Sequence, residues 1–545
     1  MKKYLFFLLV FACIFNTVAQ KVTTVYRPKL VVGIVVDQMR YDYLSKFYHR
    51  YGDDGFKRLL MEGFNCENAH FNYIPTKTAV GHASVYTGTT GANHGIIGND
   101  WYDKFLKKSI YCVDDENYKA VGTEIAHEQK SPHRLLTTTI TDELRLAQNM
   151  QGKTIALGLK DRSSVLPGGH TSNGSYWFLG KDEGKFITST YYMNSLPDWV
   201  KRFNKKGPAQ SYMKKKWETL YPIDTYAESI ADDNPYEEKF RGEDKPVFPH
   251  DLKKLAADNG NFDMIKATPY GNTLLVEFAK AAIENEELGE RGFTDFLAIS
   301  FSSPDYIGHR FGVDSKEIQD TYLRLDQDIA DLLNYLDEKV GKGEYSLFLT
   351  ADHAAIQVPA YLKSQKIPAA YFNTLKFRTH IRNLAQKFYG SEEVIEYFSN
   401  WQIFLNKELL AEKNIKVEDV EQKFVEELIN YEGIHRVVGA HTLQRGSFSQ
   451  GLLKSLQNGY SQKYSGDVMI IPQPATTSYK KTGSTHGSGF SYDTQVPIIF
   501  YGKGIAKGRL KKRAEITDIV PTMSNLLQIT VPNSSTGSVI EEVFE

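Results

Sequence analysis

The sequence has few cysteines, no excess of charge of either sign, and no long apolar run beyond its first residues. Only three of its 545 residues are cysteines, which excludes a fold held together by a disulfide framework. The 65 lysines and arginines are balanced by 66 aspartates and glutamates, so nothing indicates a nucleic acid as a partner. After residue 20 no segment approaches ~20 consecutive apolar residues, so we predict no membrane span in the mature chain.

The N-terminus has the pattern of a cleaved signal peptide. The basic start MKK is followed by an apolar run over residues 5–15 and by small and polar residues up to Gln20. We therefore predict a signal peptide over residues 1–20 and an exported mature protein, periplasmic or secreted. Lipid attachment at Cys13 is disfavoured because Phe11 fits such a site poorly.

Two cysteines, Cys66 and Cys112, remain after this cleavage. Export would permit a disulfide between them. Nothing in the sequence brings the two together, so two separate buried thiols are the favoured interpretation.

Five apolar segments have the pattern of β-strands that are covered on both faces. Continuous runs without alternation are typical of central strands in a parallel sheet. The segments span residues 29–37, 154–162, 294–303, 345–351 and 496–505. Helical spacing over residues 315–340 separates two of these strands in the manner of a βαβ unit, and residues 45–63 and 516–529 are also predicted helices. The sequence therefore predicts an α/β fold with a doubly wound, mostly parallel central sheet.

Two long stretches interrupt this pattern. Residues 165–290 are rich in Gly, Tyr, Trp and charge with weak periodicity, and residues 360–480 mix helical patterns with polar loops. We predict that both are insertions that cap an active site. The mature chain, residues 21–545, would then be a single catalytic domain with two insertions.

Metal-binding residue types follow the ends of the predicted strands. Because open α/β sheets bind ligands at the carboxyl ends of their strands, these side chains should converge, together with a histidine in the glycine-flanked loop TGSTHGSG. Taken singly, each could instead be a helix cap, a core histidine or a turn residue. Jointly they are enough for two metal sites of mixed nitrogen and oxygen ligands, which suits Zn²⁺. The six residues are Asp37, Asp305, His309, Asp352, His353 and His486.

The stretch YIPTKTAVGHASVYTG, residues 73–88, places two threonines before a predicted helix. Either Thr76 or Thr78 caps the helix, or one of them is a nucleophile beside an anion-binding helix N-terminus. Threonine is a weak nucleophile unless a base or a metal activates it. His82 follows in the same stretch but could equally face the core. A two-metal cluster nearby would supply the activation, whereas the local pattern leaves the choice between the threonines open.

Seven motifs follow one another along the chain: VVDQMRYDYL, YIPTKTAVGHASVYTG, HGIIGNDWYD, LKDRSSVLPGGH, SSPDYIGHRFG, TADHA and STHGS. In this order the sequence resembles the alkaline phosphatase superfamily, and most closely the phosphate-irrepressible alkaline phosphatases of the PafA type. The resemblance covers nearly the whole mature chain. It implies an exported alkaline phosphatase that takes phosphate monoesters, carries two Zn²⁺ per chain and releases inorganic phosphate. A monomer is expected.

The resemblance also implies a role for each matching residue. Thr78 would be the nucleophile that forms a covalent phosphothreonine and a ligand of one metal, while Thr76 would be structural. The metal that activates Thr78 would be held by Asp37, Asp352 and His353. The metal that faces the leaving group would be held by Asp305, His309 and His486. The nonbridging oxygens of the phosphoryl group would be bound by Asn99, Lys160 and Arg162.

Three other functions are alternatives to this interpretation. A sulfatase needs a C/S-x-P-x-R pattern, and neither Cys66 nor Cys112 lies in one. The nucleotide pyrophosphatase/phosphodiesterases share the threonine and all six ligands, and they are the main alternative. Lys160 and Arg162 argue against them, because this pair would fill the space that the second substituent of a diester needs. An exported binding protein with a purely structural metal cluster is disfavoured by the intact ligand set.

Overall fold

The computed structural model describes residues 27–545, so the predicted signal peptide and Cys13 lie outside the described residues. A sheet of eleven strands forms its centre. In chain order the strands are β1 (Leu30–Val36), β2 (Phe64–His70), β3 (Ala120–Val121), β4 (Thr154–Gly158), β5 (Gly174–Leu179), β6 (Lys185–Ser189), β7 (Asp295–Phe301), β8 (Tyr345–Thr350), β9 (Gln495–Gly502), β10 (Gly508–Leu510) and β11 (Ala514–Glu515). Across the sheet they lie in the order β10-β2-β9-β8-β1-β7-β4-β5-β6-β3, and β11 pairs with β2.

Five neighbouring strands, β8, β1, β7, β4 and β5, run parallel. Every residue in these five strands is buried. Burial on both faces explains why most of them appear in the sequence as unbroken apolar runs. The predicted α/β class with a mostly parallel central sheet is therefore confirmed.

The main helices connect these strands or pack beside them. They are α1 (Phe56–Glu62), α2 (Thr78–Thr87), α3 (Ile140–Ala147), α4 (Arg162–Gly168), α5 (Tyr270–Glu286), α6 (Ser303–Phe311), α7 (Lys316–Leu336) and α8 (Ile519–Leu527). The crossover from β7 to β8 runs through α6 and α7, as the helical spacing of residues 315–340 predicts.

The helix predicted over residues 45–63 is interrupted. The chain forms a short α-helix at Tyr43–Lys46 and a 3₁₀ turn at Tyr48–Arg50, and the α-helix resumes at α1. Between them, the Asp326 carboxylate accepts hydrogen bonds from the backbone N–H groups of Gly52 (2.7 Å) and Phe56 (2.8 Å). A Cβ on Gly55 would lie 2.3 Å from the same carboxylate. The Asp326 side chain of α7 therefore stabilises the turn that interrupts the helix. The local sequence pattern could not show this long-range contact.

The first predicted insertion is shorter than residues 165–290. Its beginning belongs to the central sheet, as β5 and β6, and its end is α5. The intervening segment contains the helices Asp198–Lys206, Pro208–Tyr212 and Leu252–Leu255 and a two-stranded sheet that pairs Lys216–Trp217 with His250–Asp251. The boundary was misplaced because β5, GSYWFL, has the glycine and aromatic composition that indicated a loop.

The second insertion has a sheet and a hydrophobic core of its own. Four antiparallel strands lie in the order Ile395–Ser399, Gln402–Leu405, Val468–Pro472 and Ile434–Gly439. The helices of this segment are Thr374–Tyr389, Lys407–Glu412, Val417–Leu428, Ala440–Arg445 and Gly451–Gly459. Its buried side chains, among them Phe377, Ile403 and Phe424, form a cluster separate from that of the central sheet. The sequence indicated the helices but not these strands, which are four to six residues long and of which only Val468–Pro472 is buried throughout.

Cys66 and Cys112 are both free and buried, so the interpretation as separate thiols is confirmed. Burial raises the pKa of the Cys66 thiol to about 12. Within residues 27–545, no helix combines the length and the apolar character needed to cross a bilayer.

Stability should depend on pH through a buried histidine. The ring of His250 contacts Glu243 Oε1 at 2.7 Å and Glu317 Oε1 at 3.3 Å. Burial alone would lower the pKa of His250, but the hydrogen bonds and charges of the two glutamates outweigh it and raise the pKa to about 9. Since the unfolded value is about 6.5, the stabilisation is complete below that pH and is lost as the pH rises through about 9.

We therefore expect His250→Gln to lower Tm more at pH 6 than at pH 10. The loss at pH 6 should correspond to about 3 kcal/mol of the free energy of unfolding. His49→Gln is the matched control, because His49 also contacts a glutamate but its side chain is 61% exposed. Equal losses of Tm at the two pH values would contradict the prediction.

Candidate active site

Four of the parallel strands end at the same edge of the sheet and carry the predicted site residues there. The strands β8, β1, β7 and β4 are direct neighbours. Asp37 follows β1 directly, and its backbone N–H donates to Phe301 O at the end of β7 (3.0 Å). Asp352 follows β8, and Lys160 follows β4. The convergence predicted from the strand ends is therefore present.

Three buried side chains form the first candidate metal group. One ligand atom from each of Asp37, Asp352 and His353 lies within 4.8 Å of the others. Among the described residues, Asp37 Oδ1, Asp352 Oδ2 and His353 Nε2 are buried without a hydrogen-bond partner. Unpartnered buried acceptors are costly, and three that converge on one point suit a divalent cation. This group has the membership that the sequence predicts for the metal beside Thr78.

A second group shares one histidine with the first. Its compact members are Asp305, His353 and His486, all buried. The prediction had His309 in place of His353. The Nε2 atom of His309 lies 3.2 Å from Asp305 Oδ1, and His486 Nε2 lies 3.7 Å from the same oxygen. The rings of His353 and His486 are stacked, with centroids 3.4 Å apart. All four residues therefore surround one location.

The three histidines are held in one tautomer by the backbone. In each ring Nδ1–H donates to a carbonyl oxygen: His309 to Ser484 (2.7 Å), His353 to Ala354 (3.0 Å) and His486 to Thr76 (2.8 Å). The Nε2 lone pairs are thereby directed at the carboxylates. Metal-binding histidines usually show this arrangement, so the residues present fit two metal ions. Burial also lowers the pKa of His353 and of His486 well below the ordinary value, which keeps both rings neutral as ligation requires.

Thr78 is the first residue of α2 and is buried. The helix lies against the end of β8 because Gly81 leaves room there: a Cβ at that position would be 2.1 Å from Asp352 O. His82 Nδ1 lies 2.8 Å from Thr78 O and 3.4 Å from Asp352 Oδ2, and its Nε2 contacts Ser300 Oγ. Burial lowers the pKa of His82 to about 3. His82 therefore links the main chain of Thr78 to Asp352 of the first metal group. It contacts the Thr78 carbonyl, so it is not placed as a base for the Thr78 hydroxyl.

Asn99 lies at the N-terminus of the same helix. Its Oδ1 accepts a hydrogen bond from the backbone N–H of Ala79 (2.9 Å). This bond fixes the orientation of the amide and leaves its NH₂ group as the end that can bind an anion.

Lys160 lies between the two metal groups. Its ammonium donates to Asp37 Oδ2 and to Asp305 Oδ2, both at 2.6 Å, and packs 5.0 Å from the ring of Tyr306. The side chain is buried, so the ordinary explanation of a solvated strand end does not apply to it. The neighbouring Asp161 lies 3.4 Å from Lys130 Nζ.

Arg162 begins α4 and is mostly buried. Its NH1 group donates to the hydroxyl of Tyr111 (2.9 Å), which in turn donates to Asp161 Oδ1 (2.6 Å). Arg162 Nε is buried without a partner among the described residues. A guanidinium in this state is suited to binding an anion.

The sequence did not indicate Gln38, which supports both metal groups. Its backbone N–H donates to Asp352 Oδ1 (3.1 Å) and its Nε2 to Asp305 Oδ1 (2.6 Å). Its backbone is left-handed, with φ 66°, which is unusual for a residue other than glycine. Gly308 is needed opposite, since a Cβ there would lie 1.9 Å from Gln38 Oε1. The only sequence feature that could have indicated a role for Gln38 is its position directly after Asp37.

Comparison with known proteins places the chain in a family. Residues 31–495 match the family model described as type I phosphodiesterase / nucleotide pyrophosphatase. A protein of Myroides odoratus named calcium-transporting ATPase is 47% identical, with 98% of each chain covered. Alkaline phosphatase PafA of Elizabethkingia meningoseptica is 43% identical over 96% of each chain. The crystal structure of wild-type PafA superposes with a TM-score of 0.91 at 41% identity, covering 95% of this chain and 99% of the other. The chain therefore belongs to the type I phosphodiesterase / nucleotide pyrophosphatase family and, within the alkaline phosphatase superfamily, to the alkaline phosphatases of the PafA type.

Proposed function

We propose that this alkaline phosphatase hydrolyses phosphate monoesters through a covalent phosphothreonine at Thr78 and releases inorganic phosphate. The observation that carries the proposal is the place of Thr78. It is buried at a helix N-terminus, which favours negative charge, and His82 connects it to the first metal group. Asn99 is fixed beside it.

We further propose that both metals are Zn²⁺. Imidazole and carboxylate ligands suit this ion. The first ion would be held by Asp37, Asp352 and His353, and the second by Asp305, His309 and His486. When bound, two such ions lower the pKa of a hydroxyl and stabilise charge on a leaving oxygen.

The remaining site residues account for the charge of the transferred group. A phosphate monoester carries nonbridging oxygens whose charge must be stabilised in the transition state. Lys160 donates to one carboxylate of each metal group, so its ammonium would lie close to a phosphoryl group bound between the two metals. The NH₂ of Asn99 and the Nε of Arg162, which is buried without a partner among the described residues, would supply further donors.

Diester hydrolysis is the second candidate, because the family model that matches carries the name of phosphodiesterases. The experiment that tests the proposed function is a comparison of kcat/KM for phenyl phosphate and for a phenyl diester on the same metal-analysed sample. A preference for the monoester is expected, and a preference for the diester would overturn the proposal.

Metal removal has a definite expected outcome. The purified enzyme should contain two zinc ions per chain, and a chelator should abolish turnover of phenyl phosphate. It should also lower Tm, because ligands that bind only the folded state stabilise it. Elemental analysis that finds one metal or none in fully active enzyme would defeat the two-metal mechanism. Another divalent metal at the same stoichiometry would change only the identity of the ion.

We also propose that the protein is exported and monomeric, and that it serves phosphate acquisition outside the cytoplasm. The support for export is the signal-peptide pattern of residues 1–20. Cell fractionation together with N-terminal sequencing of the mature protein tests this, and an intact N-terminus on cytoplasmic enzyme would contradict it.

A further inference from the structure

A cavity of about 180 Å³ opens beside the second metal group. His486 forms part of its wall, and the ring of Tyr479, another wall residue, lies 5.3 Å from that of His309. Both histidines belong to the group proposed to face the leaving group. A cavity of about 150 Å³ is large enough for benzene, so this one has room for a small leaving group.

Lys77 is the only lysine or arginine, among those the structure describes, in the wall of this cavity. It directly precedes Thr78, and its ammonium donates to His486 O at 3.2 Å. Gly487 makes this approach possible, since a Cβ there would lie 3.0 Å from Lys77 Cε and 3.2 Å from Nζ. The backbone at Gly487 has φ 130°, where a side chain would be strained.

The charge of Lys77 is not used by an ion pair within residues 27–545. Its hydrogen bond to the described chain goes to a neutral carbonyl. Asp493 also lines the cavity. Its Oδ2 accepts from Gly487 N–H (3.1 Å) and from the N–H (2.8 Å) and hydroxyl (2.6 Å) of Ser488, whereas its Oδ1 is buried without a hydrogen-bond partner among the described residues and forms no ion pair with Lys77. Lys77 is therefore a partly buried cation that points into a cavity on the leaving-group side and retains capacity to bind an anion.

We infer that Lys77 and this cavity bind the leaving group, and that they favour phosphate monoesters whose alcohol carries its own negative charge close to the ester oxygen. Phosphorylated hydroxy acids and bisphosphates are the chemical class. Lys160 and Arg162 are placed for the transferred phosphoryl group, whereas Lys77 is placed for a second anion beyond the bond that breaks. The inference rests on the proposed monoesterase function and names its substrate class.

The test compares phosphoglycolate with its carboxyl methyl ester, which differ in one negative charge. Lys77→Met should lower kcat/KM for phosphoglycolate by about tenfold to a hundredfold, as expected for a lost charge-assisted hydrogen bond. The loss for the methyl ester should be several times smaller. Lys77→Arg should restore most of the preference. Equal losses on both substrates, or none on either, would overturn the inference.

A binding measurement separates recognition from turnover. The inhibition constants of 3-phosphonopropionate and propylphosphonate, which are not hydrolysed, should converge in Lys77→Met while metal content and Tm stay unchanged. Lys104→Met is the matched control, because Lys104 also donates to carbonyl oxygens, those of Gln462 and Ser465, but lies outside the cavity. Its substrate ratio should equal that of the wild type. A wild type inactive on both esters would instead defeat the proposed function.

Discussion

Thr78→Ala is expected to lower kcat/KM for a phosphate monoester by several powers of ten, with the fold and the metal content unchanged. Each power of ten corresponds to about 1.4 kcal/mol of transition-state stabilisation. The loss should be large because the hydroxyl is the proposed nucleophile, and removing it takes away the covalent step rather than one contact. The methyl group of alanine fits the same buried position at the start of α2, so the metal ligands on neighbouring strands should keep their places.

Three companion variants make the result specific. Thr78→Ser keeps a hydroxyl and should retain more activity than Thr78→Ala. Thr87→Ala removes a hydroxyl that bonds Ala83 O at the far end of the same helix, and should stay close to the wild type. Thr76→Ala removes a donor to Ser488 O and should cost less than Thr78→Ala. An inactive Thr76→Ala beside an active Thr78→Ala would mean that the nucleophile is the other threonine.

Quench-flow with a radiolabelled monoester tests the covalent step directly. Label should appear on the wild-type chain at Thr78 and be absent from Thr78→Ala. Residual turnover of the variant with no label on any residue would indicate direct attack by water.

The central sheet and the convergence of the candidate metal-binding side chains could be predicted because both rest on strong local signals. The strand Leu30–Val36 is apolar throughout and buried on both faces, and Asp37 follows it without a break. A parallel sheet gathers the ends of such strands at one edge, so residues more than 300 positions apart, such as Asp37 and Asp352, could be expected to meet. The sheet topology, and not a local contact, therefore brings these residues together.

Residues that act through long-range contacts could not be predicted. Gln38 binds Asp352 and Asp305 only because β8 and β7 flank β1, and a glutamine after a strand has no distinctive pattern. The sharing of His353 between both metal groups depends on a ring stack with His486, which sequence spacing does not encode. The strands of the second insertion lie among helices and polar loops, and two of them, Ile395–Ser399 and Ile434–Gly439, mix buried with exposed positions, so neither shows a clear strand pattern.

The double variant Lys160→Ala/Arg162→Ala should slow hydrolysis of a phosphate monoester by orders of magnitude and affect a diester far less. A monoester dianion has one more charged oxygen than a diester, and Lys160 and Arg162 are the two cations proposed to stabilise that oxygen. Lys160 joins the two metal groups, and Arg162 has a buried Nε without a partner among the described residues. Loss of such donors weakens transition-state stabilisation in a site that excludes water.

The Lys160→Ala variant needs a control for metal content that Arg162→Ala does not need. Its ammonium binds carboxylates that are themselves proposed metal ligands, so its removal could alter metal affinity as well as phosphoryl binding. Zinc content must therefore be measured on every variant, and Lys160→Ala is compared only at full occupancy. Arg162→Ala carries no such complication, because its NH1 bonds Tyr111 rather than a metal ligand.

The decisive quantity is the ratio of kcat/KM for the monoester to that for the diester. In the wild type this ratio should favour the monoester. It should fall in Arg162→Ala and fall further in the double variant.

Tyr111→Phe extends the test, because the Tyr111 hydroxyl accepts a hydrogen bond that holds Arg162 in place. Loss of this hydroxyl should shift the ratio in the same direction by a smaller factor. Equal losses of kcat/KM on the two substrates would show that Lys160 and Arg162 support the site without discriminating between the charges of a monoester and a diester. A wild type that already prefers the diester would assign this chain to the phosphodiesterase branch, with Lys160 serving only to neutralise Asp37 and Asp305.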